Sequence, residues 1–199
     1  MAIHPDDYDI DAVRAEWIGK RVSESRGRYP VEDDAIRRHC HMTGDTNPLY
    51  LDPEFAASAG PYGEVIVPPS ILPLYFASNG PWPRRSETAR DGAADVPAPE
   101  RRPAFTLGVP TPGDRGINMG TEWEFVRPIR VGEHLRAERT VTDVFVKAIK
   151  LDACAVWIVS ETCIFAEPDD RVAVFRNTTL VHRSPKQLAA DAARSGPAQ

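Results

Sequence analysis

The chain has 199 residues, room for one domain with a sizeable core, and its 42% hydrophobic and 27% charged composition is that of a globular protein. A net charge of -5, with basic residues scattered rather than gathered into a stripe, argues against nucleic-acid binding. No run approaches the roughly 18 apolar residues of a membrane span. The acidic N-terminus, MAIHPDDYDIDAVRAEW, lacks the apolar region of a secretory leader, so a cytoplasmic protein is expected. Cys40, Cys154 and Cys163 cannot all pair and have no metal-ligand spacing, which predicts reduced, packed thiols and no metal.

In chain order, residues 8–19 set Ile10, Val13, Trp17 and Ile18 near helical spacing behind an acidic start, a short amphipathic helix. Val22 to Tyr29 is a strand candidate ended by Pro30. VEDDAIRRHCHMTGD then carries acids in its first turn, where they meet the helix dipole, and Gly44 is the stop. An apolar helix is predicted from Ser70 to Ser78, entered through Pro68-Pro69 and ended by Asn79-Gly80, with Pro73 inside it as a kink. Residues 80–116 hold seven of the nineteen prolines and few large apolar side chains, so they read as a long loop.

From Ile117 the hydrophobic period becomes two: Met119, Thr121, Trp123 and Phe125 share one face of a strand. Strands over 134–146, 154–165 and 171–181 follow, joined largely by hairpins, and residues 185–199 read as a flexible polar tail. Consecutive strands pair antiparallel, and the apolar helix must cover one face of their sheet. No internal repeat is visible, so residues 1–184 form a single α+β unit, a sheet wrapped round a helix.

Within CHMTGDTNPLYLDPEFAASAGPYGEVIVPP, the residues Gly44, Asp45, Asn47, Pro48 and Leu49 resemble the hydratase motif of MaoC-like enoyl-thioester hydratases and dehydratases. INMGTEWEFVRPIRVGEHLRAERTVTDV looks like that family's first hairpin after its central helix, and the resemblance covers about residues 15–183 without the proline-rich insert. It implies a hot-dog fold, with an antiparallel sheet wrapped round a central helix. It also implies assembly as a dimer or higher oligomer with two central helices side by side; the unpaired sheet edge separately places the strand Met119–Phe125 or a neighbour near the contact. The implied reaction is hydration or dehydration of a 2-enoyl-CoA or acyl-carrier thioester, with no cofactor. The chemistry needs a base for the water proton, an acid for the α-carbon, and a donor for the thioester oxygen as enolate charge develops.

In the resembling family an Asp, with a His five positions later, does the acid–base work, and an amide at the start of the central helix supplies the oxyanion contact. Asp45 matches the first, but the His position is Tyr50. A phenol with a pKa near 10 is a poor base at neutral pH, where imidazole is well placed. The family's His-Gly falls on Pro68-Pro69, and proline has no N–H, leaving the Ser70 amide as the displaced donor. Asp45 and Tyr50 are therefore the candidate catalytic residues of a degraded dyad, with Asn47 and Ser70 as candidate substrate-binding residues. Asp45 also reads as a turn residue and Tyr50 as a packed aromatic. Members of the family occur as unequal pairs. The GDTNPLY form resembles the non-catalytic half, which shapes the acyl site while a partner MaoC-like chain carries the dyad. A self-sufficient homodimer using Asp45 and a silent thioester-binding scaffold are the alternatives.

Overall fold

The computed structural model describes residues 3–78 and 104–194. Helix α1, Ile10–Trp17, is capped by the Asp9 carboxylate, which accepts from the Ala12 amide, and it buries Val13 and Trp17. Strand β1 is Arg21–Arg26. Helix α2, Asp33–Thr43, buries Ile36 and Cys40, four residues apart on one face. Two short helices follow, α3 at Pro48–Leu51 and α4 at Pro53–Ser58, and then α5 at Leu72–Phe76. The remaining strands are β2, Arg115–Phe125; β3, Leu135–Val146; β4, Val156–Ala166; and β5, Asp170–His182. Helix α6, Pro185–Arg194, ends the described chain.

The strands form one antiparallel five-stranded sheet in the order β1-β3-β4-β5-β2. Period-two burial is plainest in β4, where Val156, Ile158, Ser160, Thr162, Ile164 and Ala166 face inward and are buried. A bulge between Val141 and Asp143 restores β3's phase, so that Val144 packs opposite Ile158. The apolar α5 lies against the inner face, which makes this the hot-dog fold expected from the sequence.

Two apolar clusters cover that face. One gathers Ile36, Cys40, Leu72, Phe76, Leu135 and Ile164 from α2, α5, β3 and β4. The other gathers Val13, Trp17, Val141, Val144, Val156 and Ile158 under α1. Ser160 and Thr162, only 3% and 2% exposed, form a polar row between them.

Three expectations are corrected. The apolar helix is shorter than Ser70–Ser78, and Pro73 sits in its first turn rather than kinking its interior. There the missing N–H has no helical acceptor to lose. The loop expected over 80–116 falls partly outside the described residues, but its last part is ordered: Ala104–Thr106 make a 3-10 turn and β2 begins at Arg115. Residues 185–194 of the expected tail are helical, anchored at their start. The Ser184 amide and hydroxyl both donate to Asp114, at 2.7 and 2.9 Å, and Arg183 reaches Asp191 at 3.1 Å.

Candidate active site

The segment from Gly44 to Asp52 holds three side-chain caps in series, each made by the residue type its position requires. Gly44 closes α2 at φ +70°, a left-handed conformation open to glycine without steric penalty. Its amide and that of Asp45 both donate to the Cys40 carbonyl, the latter at 2.9 Å. Asp45 accepts the Asn47 amide on Oδ1 at 3.0 Å. Asn47 in turn accepts the Leu49 amide at 3.0 Å, capping α3, and Pro48 supplies a first-turn residue that needs no donor. Asp52 repeats the device for α4, accepting from Glu54 and Phe55 at 3.0 Å each.

Asp45 is thus a turn residue through Oδ1, while its Oδ2 accepts no hydrogen bond among the described residues. Tyr50 is half-buried against the cluster containing Cys40 and Phe76, and its hydroxyl has no hydrogen-bond partner among the described residues. Burial first, and then the negative charge of Asp45, push the Tyr50 phenol above its ordinary pKa, with smaller contributions from Cys40 and Tyr62. Tyr50 therefore remains protonated at neutral pH, able to donate a hydrogen bond but not to act as a base. The Cys40 thiol is raised for the same two reasons, burial and then Asp45.

The approach to α5 is built from Val65, Ile66, Val67 and Pro68, all buried, with the Val67 amide donating to the Ile129 carbonyl at 2.8 Å. Pro69 is exposed and offers no N–H. Ser70 lies just before the helix N-cap and closes a local turn: Oγ accepts the Leu72 amide at 3.2 Å and donates to the Pro68 carbonyl at 3.1 Å. The backbone amide of Ser70 has no acceptor among the described residues. Asp45, Asn47 and Tyr50 therefore belong to one hydrogen-bonded loop, whereas Ser70 stands on a separate segment. Tyr50 and Leu72 pack into the same apolar cluster, and among the described residues no hydrogen bond joins the two segments.

Sequence reading took Asn47-Pro48 for turn chemistry and overlooked α3 and α4. The signal was present in both: Asn47-Pro48 and Asp52-Pro53 each place an N-cap residue before a proline. Cys40 and Tyr62, which share the electrostatic environment of Tyr50, had no sequence signal.

A family model described as FAS1-like, dehydratase domain region matches residues 16–173. A probable enoyl-CoA hydratase alpha subunit from Thermomonospora curvata is 28% identical over 129 residues, 64% of this chain and 38% of that protein. A UPF0336 protein from Thermobifida fusca is 29% identical over 133 residues, 67% of this chain and 73% of that one. The match thus spans well under half the length of the first relative. Among solved structures, the ChsH1-ChsH2 complex from Mycobacterium tuberculosis contains a chain that superposes with a TM-score of 0.61 at 19% identity, covering 88% of this chain and 92% of that one. A MaoC-like dehydratase from Rhodospirillum rubrum gives 0.52 at 20% identity, covering 84% and 94%. At these identities the structural likeness concerns the fold. Family match, motif and fold agree: the chain belongs to the MaoC-like hot-dog hydratases and dehydratases.

Proposed function

We propose that this chain is the substrate-shaping half of an enoyl-thioester hydratase or dehydratase, paired with a second MaoC-like chain that supplies an intact Asp/His dyad. The observation that carries the reading is Tyr50. It occupies the family's histidine position beside Asp45, and burial together with the Asp45 carboxylate keeps its phenol protonated. A water proton then has no acceptor from that position, and the proline at 69 removes the amide expected at the helix approach. The name of the T. curvata relative, a probable alpha subunit, and the two-protein complex from M. tuberculosis support a heteromeric assembly. The substrate is a 2-enoyl-CoA or acyl-carrier thioester.

The test is hydration of crotonyl-CoA by the purified chain, followed at the loss of enoyl absorbance, alone and with a MaoC-like partner bearing GDxNPxH. The expected result is near-background turnover alone, because loss of a general base and of an oxyanion donor each remove roughly a hundredfold or more. Activity should appear on mixing. Robust turnover by the chain alone that disappears in Asp45→Asn would overturn this reading in favour of a self-sufficient homodimer.

A further inference from the structure

The polar row on the inner face of the sheet borders a cavity of about 250 Å³. Its polar wall is Arg139, Ser160, Asn177, Thr179 and Asn118; Phe105 and Leu107 make the apolar one, and the β2 backbone at Gly116 and Ile117 closes its border. Strand register explains the gathering: Arg139 lies opposite Thr162, Ser160 opposite Asn177, and Asn118 opposite Thr179. Among the described residues, no Asp or Glu lines it.

The half-buried guanidinium of Arg139 donates from Nε to Thr162 Oγ1 at 2.9 Å and has no carboxylate partner among the described residues. Burial draws its pKa below the ordinary value, with no acid to oppose the effect. Elsewhere, Arg127, Arg136, Arg176 and Arg183 each meet two or more carboxylates. The other groups are mostly donors. Thr179 Oγ1 already accepts from Asn177 Nδ2 at 3.0 Å, so its proton is directed elsewhere. Ser160 makes no side-chain hydrogen bond among the described residues, and Asn118 uses only its Oδ1, on the Gly120 amide at 3.1 Å. Asn177 Oδ1 is a buried acceptor without a donor among the described residues, a group that a bound water, and not the carboxylate, would satisfy.

We propose that this cavity binds a monocarboxylate with a short apolar body, the carboxylate on Arg139 and Ser160 and the body against Phe105 and Leu107. A lone, partly desolvated guanidinium is unfavourable until an anion meets it, and its planar fork matches a carboxylate. One cation beside apolar walls suits a monoanion better than a phosphate dianion. The volume, room for about eight waters at ~30 Å³ each, admits a small ligand. The carboxylate can belong to a free acid or to the far end of an acyl thioester; only the second source rests on the function proposed above.

Isothermal titration of the intact chain separates these cases without requiring turnover. Hexanoate is expected to bind at least tenfold more tightly than hexanol or inorganic phosphate. Arg139→Gln should weaken hexanoate roughly 10- to 100-fold, as loss of a charge-assisted pair does. Ser160→Ala should weaken it severalfold with the melting curve preserved, which guards against misfolding of the first variant. Adipyl-CoA binding more tightly than hexanoyl-CoA, with the difference lost in Arg139→Gln, would assign the site to a distal acyl carboxylate. Hexanoate binding without that difference would assign it to a free acid. Equal affinity for hexanol, full affinity in Arg139→Gln, or no binding of either hexanoate or adipyl-CoA would overturn the proposal and leave a water-filled cavity.

Discussion

Removing the Asp152 carboxylate should destabilise the domain more than any other single loss of charge. The side chain is fully buried and meets Arg183 in the shortest contact at 2.5 Å. It also accepts two backbone amides, Arg183 at 2.8 Å and Cys154 at 2.9 Å. Burial pushes this carboxyl up, but the bonds from Arg183 and Cys154 together outweigh it and hold the pKa below the ordinary value. Asp152→Ala leaves two amides unsatisfied and the guanidinium with Asp191 alone. Breaking a buried pair by removing one partner costs about 3–5 kcal/mol, and the remaining Asp191 contact places the expectation near the lower figure. For a domain of this size each kcal/mol moves Tm by about 2–4 °C, so a fall near 10 °C is expected at pH 7. Because the folded pKa is depressed, the stabilisation is fully present above the unfolded value near 4 and is lost as pH falls through the folded one. Urea titrations at pH 7 and at pH 3 should therefore show a gap between parent and variant that narrows in acid. A loss under 1 kcal/mol at pH 7, or a gap unchanged at pH 3, would refute the reasoning.

Tyr50→His alone should recover little hydratase activity, since Pro69 still offers no amide; Tyr50→His with Pro69→Gly should do better, and equal rates would show that the Pro68-Pro69 correspondence is wrong. Gly116→Ala should destabilise by about 1–3 kcal/mol in urea titrations, because the added methyl would overlap the Phe105 ring and the strand backbone cannot retreat far. On size exclusion with mass measurement the chain should run as a dimer or larger, since β2 lies at an edge of the sheet and exposes Ile117 and Met119 at 46% and 48%. Ile117→Lys should shift that population toward monomer.

The strands were legible because their side chains alternate with period two over long runs. β3, β4 and β5 fall within two residues of their expected ends. Helix α2 was legible at its close, where Gly44 takes the left-handed conformation expected of a stop. Helix α5 was not, because apolar character from Ser70 onward does not fix helical backbone: Ser70 and Ile71 form a turn before the helix, and Ile71 is exposed. Helix α6 was missed because an Ala-rich polar segment has little apolar face of its own, and its anchor is a long-range contact from Ser184 to Asp114. The same limit applies to the candidate site. Asp45, Asn47 and Tyr50 are close in sequence and announce themselves by motif. Arg139, Ser160 and Asn177 come from three strands, and only the register assembles them.

The polar row across the inner face also divides the domain energetically. The cluster under α1 and the cluster under α5 share no residue, and Ser160 with Thr162 stands between them. Truncations confined to opposite clusters, such as Val144→Ala and Leu135→Ala, should then add to within about 0.3–0.5 kcal/mol, whereas two within one cluster should couple. Amide exchange should register the same boundary, with α1 opening in a step of its own while α2 and α5 stay protected. A fold with one continuous sheet would behave as two cooperative units, and changes made to accommodate a ligand at one end would leave the stability of the other largely untouched.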